Sequence, residues 1–110
     1  MLHESDFVVI RVAVPLSHAD AVRKAIGDAG AGKQGDYAYC SGSYKITGRF
    51  LPLVGAHPAI GAVGIPEVVE EEAIYTICHK DIVERVIGAV KKAHPYEEPP
   101  IDIMPRLEVV

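Results

Sequence analysis

Over residues 7–15 the chain alternates, with Val8, Ile10, Val12 and Val14 on one side and Arg11 on the other. A period of two in β-branched residues predicts a strand with one face turned to a core. The period then becomes helical, and Ala19, Val22, Ile26 and Ala29 form an inner stripe. Ser17, with Asp20 three residues on, reads as the N-cap of this helix: the hydroxyl meets free amides and the carboxylate sits in the positive first turn. Gly30 supplies a left-handed stop. Further strands are expected over residues 37–43, 44–51, 68–78 and 101–107. A second helix over residues 80–93 buries Val83, Val86, Ile87 and Val90 and exposes Glu84, Arg85, Lys91 and Lys92.

Displacing the chain by 61 positions lays Asp20, Val22, Ile26 and Gly27 on Asp81, Val83, Ile87 and Gly88, which suggests a repeated βαβ unit. The resulting β-α-β-β-α-β order predicts an α+β, ferredoxin-like sandwich: one antiparallel sheet with both helices on one face. Phe7 and Val9 alternate toward the other face, which the helices leave uncovered, and a second subunit is the economical cover. Between the halves, residues 52–66 read PLVGAHPAIGAVGIP, with three glycines, three prolines and no charge. So long an irregular segment in a small domain points to a functional loop or an oligomer contact, with a mobile connector as the alternative.

Composition narrows the partners. The chain has 110 residues, the size of one domain spanning 1–110, with 49% apolar and 24% charged residues. A net charge of −4 disfavours nucleic acid and anionic membrane surfaces. No apolar run approaches the roughly 18–20 residues that span a bilayer, and Glu4 and Asp6 stand where a signal peptide is positive. Two cysteines, Cys40 and Cys78, are too few for a disulfide scaffold and suit reduced thiols in a cytoplasm.

Several segments resemble chemistry. The run from Gly30 to Gly35, GAGKQG, satisfies a dinucleotide-binding pattern but ends a helix instead of opening one. The overlapping stretch from Gly27 has Gln34 where a P-loop needs a hydroxyl, and no strand precedes it, so a turn explains these glycines. The densest polar group is His94-Pro95-Tyr96-Glu97-Glu98-Pro99. Imidazole and carboxylates suit zinc or copper. The alternative has His94 bonding the last carbonyls of its own helix while the carboxylates face solvent. His57 in the central loop is placed to meet His94 in space or across an interface. Cys40 and Cys78, the latter followed by His79, are either soft ligands or small core residues. Glu70, Glu71 and Glu72 alternate between faces and read as a solvated edge. No Ser/His/Asp order or nucleophile elbow is present.

Gly30-Ala31-Gly32, Gly35-x-Tyr37, Cys40-Ser41, Gly48-x-Phe50-x-Pro52, Gly55-x-x-Pro58, Gly61, Gly64 and above all the segment from Ala93 to Pro99 resemble, over nearly the whole chain, the small domain of Nif-three-like proteins, which also occurs free-standing. The HPYE segment is also similar to CutA-type divalent-ion tolerance proteins, and both groups lie in the PII-like branch of ferredoxin-like folds. The resemblance implies a homotrimer and a non-enzymatic module holding a small ligand or a divalent transition metal between subunits. Tyr37, Cys40, His57, His94, Tyr96, Glu97 and Glu98 are its candidate ligand-binding residues. The two-metal site of full Nif-three-like proteins belongs to large flanking domains that these 110 residues do not contain, so a hydrolase activity does not carry over. The competing expectation is an enzyme, or the accessory of a Nif-three-like protein, using His94, Glu97 and Cys40. The chain departs from the family at His57, where Asn is expected, and at Tyr75, where Glu is expected.

Overall fold

The computed structural model describes residues 1–110. Strand β1 (Leu2–Pro15) leads through a 3₁₀ turn at Leu16–His18 into helix α1 (Ala19–Asp28), followed by β2 (Gly42–Phe50) and β3 (Glu67–His79). A second 3₁₀ turn at Lys80–Ile82 opens helix α2 (Val83–Ala93), and β4 (Ile101–Val109) closes the chain. The sheet order is β2-β3-β1-β4 with every neighbour antiparallel, which is the ferredoxin-like arrangement. Ile10, Val12 and Val14 of β1 pack with Ile74 and Cys78 of β3 against Val22 and Ile26 of α1 and Val86 and Val90 of α2. Each such fully buried aliphatic side chain contributes about 1.5–3 kcal/mol.

The helix ends are built differently from the sequence expectation. Ser17 does not cap α1. Its hydroxyl lies 2.8 Å from His18 Nδ1, and the helix starts from a 3₁₀ turn at residues 16–18 with no side-chain cap bond. The same device precedes α2, so the turn and helix of the two halves correspond at a displacement of 64, with Val22 matching Val86 and Ile26 matching Val90, all four buried. The displacement of 61 is one helical turn out of step. Val83 and Ile87 accordingly are half-buried, at the rim of the core. At the far end of α1, Gly30 takes φ +106° and donates to the Gly27 carbonyl at 3.0 Å, while Ala31 donates to Ile26 at 3.2 Å. This pair of bonds, with Ala31 and Ile26 both in the core, is a Schellman stop.

The strand expected over residues 37–43 does not form as such: residues 37–41 lie outside the strands, and Gly42 and Ser43 open β2. Tyr39 sits at φ +58°, a left-handed conformation no strand contains, and its ring lies over Gly27, where a Cβ would overlap it. The segment is clamped to β3: Gly32 donates to the Ile77 carbonyl at 2.7 Å, Cys40 to the Gly32 carbonyl at 2.9 Å, and Thr76 Oγ1 to the Cys40 carbonyl at 2.6 Å. The strand expected over 44–51 begins instead at Gly42 and pairs with β3.

Cross-strand partners Val9 with Ile77, Val9 with Met104, Arg11 with Tyr75, and Tyr44 with Ala73 share the sheet face away from the helices. Phe7 and Val9 are half-buried there, Phe7 meeting His79 edge-on at 5.4 Å. The exposed apolar surface of that face comes from Tyr44, Tyr75 and Met104, which are 49%, 47% and 39% exposed. Arg11 crosses it, donating through Nε to the Tyr44 hydroxyl at 3.1 Å with Asp102 at 3.6 Å.

Candidate functional site

Helix α2 ends because His94 turns extended, at φ −81° and ψ 136°, ahead of Pro95. This swings the imidazole back onto β1. His94 is buried, and its Nε2 donates to the Ala13 carbonyl at 2.7 Å while Nδ1 accepts the Tyr96 backbone N–H at 3.1 Å. That pairing fixes the neutral tautomer with its proton on Nε2. Burial lowers the pKa of His94 from its ordinary value, opposed by the Ala13 bond and the Glu71 charge. The side chain therefore ties β1 to the turn after α2. It does not bond the last carbonyls of its own helix, and neither ring nitrogen is left free.

Tyr96 continues the network. Its ring packs edge-on to Phe50 at 5.7 Å and 4.9 Å from His94, and its hydroxyl donates to Glu71 at 2.8 Å. Burial first, and then the bond to Glu71, push the phenol pKa far above its ordinary range. Glu71 is only 5% exposed. It occupies the space that a Cβ at Gly48 would need. The three glutamates do alternate between environments, but only Glu70 is solvated: Glu72 meets Arg23, and Glu71 is buried. The signal for Glu71 was the combination of Gly48 with a tyrosine 25 residues downstream, which no local pattern exposes.

The central loop, residues 51–66, folds over this segment. Gly64 donates to the Pro52 carbonyl at 2.8 Å, and the His57 backbone N–H donates to Glu97 Oε1 at 3.2 Å. Between loop and turn lies a cleft of about 200 Å³ lined by Phe50, Pro52, Pro58, Tyr96, Glu97 and Glu98. Its walls are aromatic and proline-rich, and its rim carries two exposed carboxylates. Of the candidates from sequence, Tyr96, Glu97 and Glu98 line this cleft, and His57 joins it through its backbone. Tyr37 is 75% exposed and lines no cleft. Cys40 is half-buried between two other clefts, one beside Arg23 and Ile26, the other beside Val9 and Tyr75. His94, Glu97 and Cys40 therefore do not converge. Cys78 is a core residue whose thiol pKa burial pushes up. No three His, Cys, Asp or Glu side chains of one chain come together as a metal site.

The ferredoxin-like fold is shared with CutA and PII-like structures. CutA of Archaeoglobus fulgidus, described as a periplasmic divalent cation tolerance protein, superposes with a TM-score of 0.66 at 20% identity, covering 91% of this chain and 83% of its own. A Bacillus cereus protein related to NIF3 superposes with a TM-score of 0.80 at 42% identity, over 96% of this chain and 26% of its own. The GTP cyclohydrolase 1 type 2 homolog of Halalkalibacterium halodurans is 48% identical over 94 residues, which is 86% of this chain and 25% of the relative. No family model matches the chain. The chain thus has the ferredoxin-like fold of the CutA and PII-like structures, and it is homologous to the segment it matches in Nif-three-like proteins. It spans about a quarter of the length of the curated relatives it matches. No helix is long and apolar enough to cross a membrane.

Proposed function

We propose that the chain is a non-enzymatic, self-associating PII/CutA-like module that binds a small ligand or divalent metal where subunits meet. The uncovered sheet face carries this reading: Tyr44, Tyr75 and Met104 present apolar surface next to Val9 and Ile77 with no element of the chain over them. Covering such a face stabilises by roughly 25 cal/mol per Å² of apolar area removed from water. A closed homotrimer is the assembly we favour. The charge-free central loop supports it, since Leu53, Val54 and Ile65 stand 68%, 95% and 58% exposed.

The ligand cleft is the one between Phe50, Pro58 and Tyr96. One chain offers it only Glu97 and Glu98 as ionic ligands, so a metal there takes its remaining ligands from a second copy. Two free cysteines, Cys40 half-buried and Cys78 in the core, suit a reducing cytoplasm. The second reading, an accessory to a Nif-three-like protein, draws on the relatives being about four times as long. The cyclohydrolase name belongs to those longer proteins.

Zinc or copper titrated into wild type, His94→Ala and a Glu97→Gln/Glu98→Gln double variant, with thermal stability as the readout, tests the metal reading. Wild type and His94→Ala should gain stability equally, because both His94 nitrogens are engaged, and the double variant should gain none. No gain in wild type would contradict metal binding at this cleft.

A further inference from the structure

Where α1 ends, the glycine-rich turn and the start of α2 enclose another cleft, of about 540 Å³, that shares no lining residue with the one at Tyr96. Phe7, Gly30, Lys33, His79, Ile82 and Arg85 form its walls. Three side chains here carry unspent nitrogen donors. Arg85 gives only Nε, to the Ala29 carbonyl at 2.9 Å, which anchors the guanidinium at the end of α1. Its two terminal nitrogens face no carboxylate, whereas Arg11, Arg23 and Arg106 are each paired with one. Lys33 makes no hydrogen bond or ion pair within the chain. His79 accepts the Asp81 backbone N–H on Nδ1 at 3.1 Å, so the neutral ring carries its proton on Nε2, which has no partner. Of the neighbouring acids, Asp6 lies 3.4 Å from Lys80, whereas the Asp81 carboxylate lies 3.5 Å from His79 Nδ1 and has no cationic partner while that nitrogen accepts.

In a chain of net charge −4, three uncommitted cationic or donor groups from separate elements surround one space. From this convergence we infer that the cleft binds the phosphate group of a small phosphomonoester. A guanidinium fork held by its Nε bond, an unpaired ammonium and an imidazole N–H match the oxygens of a tetrahedral dianion. Phe7 and Ile82 give the organic part an apolar wall. Gly30 has a part in this beyond stopping α1, because a Cβ there would come 3.0 Å from Arg85 Nη2 and press on the fork. The site is not a dinucleotide crossing: the glycine turn ends a helix, and side chains make the contacts.

The test is calorimetry on the full chain with inorganic phosphate and with phenyl phosphate, against chloride at matched ionic strength. Both should bind saturably, phenyl phosphate more tightly. Arg85→Gln and Lys33→Gln should each weaken binding about tenfold or more through loss of a charge-assisted contact, with Lys91→Gln unchanged. The Lys33 side chain is exposed and makes no hydrogen bond or ion pair in the chain, so Lys33→Gln keeps the test readable even if Arg85→Gln loosens the end of α1. Absence of saturable binding beyond chloride, or equal affinity in Lys33→Gln, would overturn the site. Equal affinity for the two phosphates would overturn the phosphomonoester.

Discussion

The hydroxyl of Tyr96 donates a 2.8 Å hydrogen bond to the buried carboxylate of Glu71, which joins the turn after α2 to the sheet face that no helix covers. One hydrogen bond thus links the cleft to a carboxylate on that face. Gly48 keeps the space for Glu71, and His94 holds the Tyr96 backbone.

Tyr96→Phe should therefore cost about 1–3 kcal/mol in urea denaturation, the penalty of leaving a buried acceptor without its donor. Wild type should also lose stability in alkali. The folded state raises the phenol pKa above its ordinary value of 10.0, so the contribution is complete below pH 10 and disappears as the pH climbs beyond it. Tyr96→Phe should lack that alkaline decline.

His94 gives the opposite limb. Its pKa is lowered on folding, so the unfolded chain takes up a proton first, and the stability it contributes is present above pH 6.5 and is lost as the pH falls below that value. His94→Ala should cost about 1–3 kcal/mol at neutral pH, through the orphaned Ala13 carbonyl and Tyr96 amide, and should flatten the acid limb. Denaturation midpoints at a series of pH values measure both. An unchanged acid limb in the variant would assign the titration to another group.

Gly32→Ala and Gly35→Ala separate two kinds of strain within one turn. Both glycines are left-handed, at φ +75° and +55°, which costs an alanine about 1–2 kcal/mol. A Cβ on Gly35 meets nothing within 4 Å, but one on Gly32 would overlap the Cys40 backbone. Thermal unfolding should show a modest loss for Gly35→Ala and a clearly larger one for Gly32→Ala.

Sequence patterning made β1, β3 and the inner faces of both helices legible because Ile10, Val12, Val22, Ile26, Val86 and Val90 recur at the periods their elements impose. It failed over residues 37–41, where Tyr39 packs over α1 from a left-handed backbone and Tyr37 is left 75% exposed. The Ser17 and Asp20 spacing is right for a capping box, yet the 3₁₀ turn moves the helix start past Ser17. At the site, the HPYEEP segment stood out for its polar density, and Tyr96, Glu97 and Glu98 do meet in one cleft. Its buried partner Glu71 did not, since a carboxylate among three glutamates reads as solvated until Gly48 and Tyr96 are brought beside it in three dimensions.

The central claim is that the face bearing Val9, Tyr75 and Met104 is covered by further copies of this chain. Light scattering at micromolar concentration tests it on wild type and on Val9→Glu, which sets a charge between Ile77 and Met104 at a position only half-buried in the single chain. Wild type should give about three times the chain mass of 11.8 kDa, and Val9→Glu should give the mass of one folded chain. A wild-type mass of one chain would contradict the account.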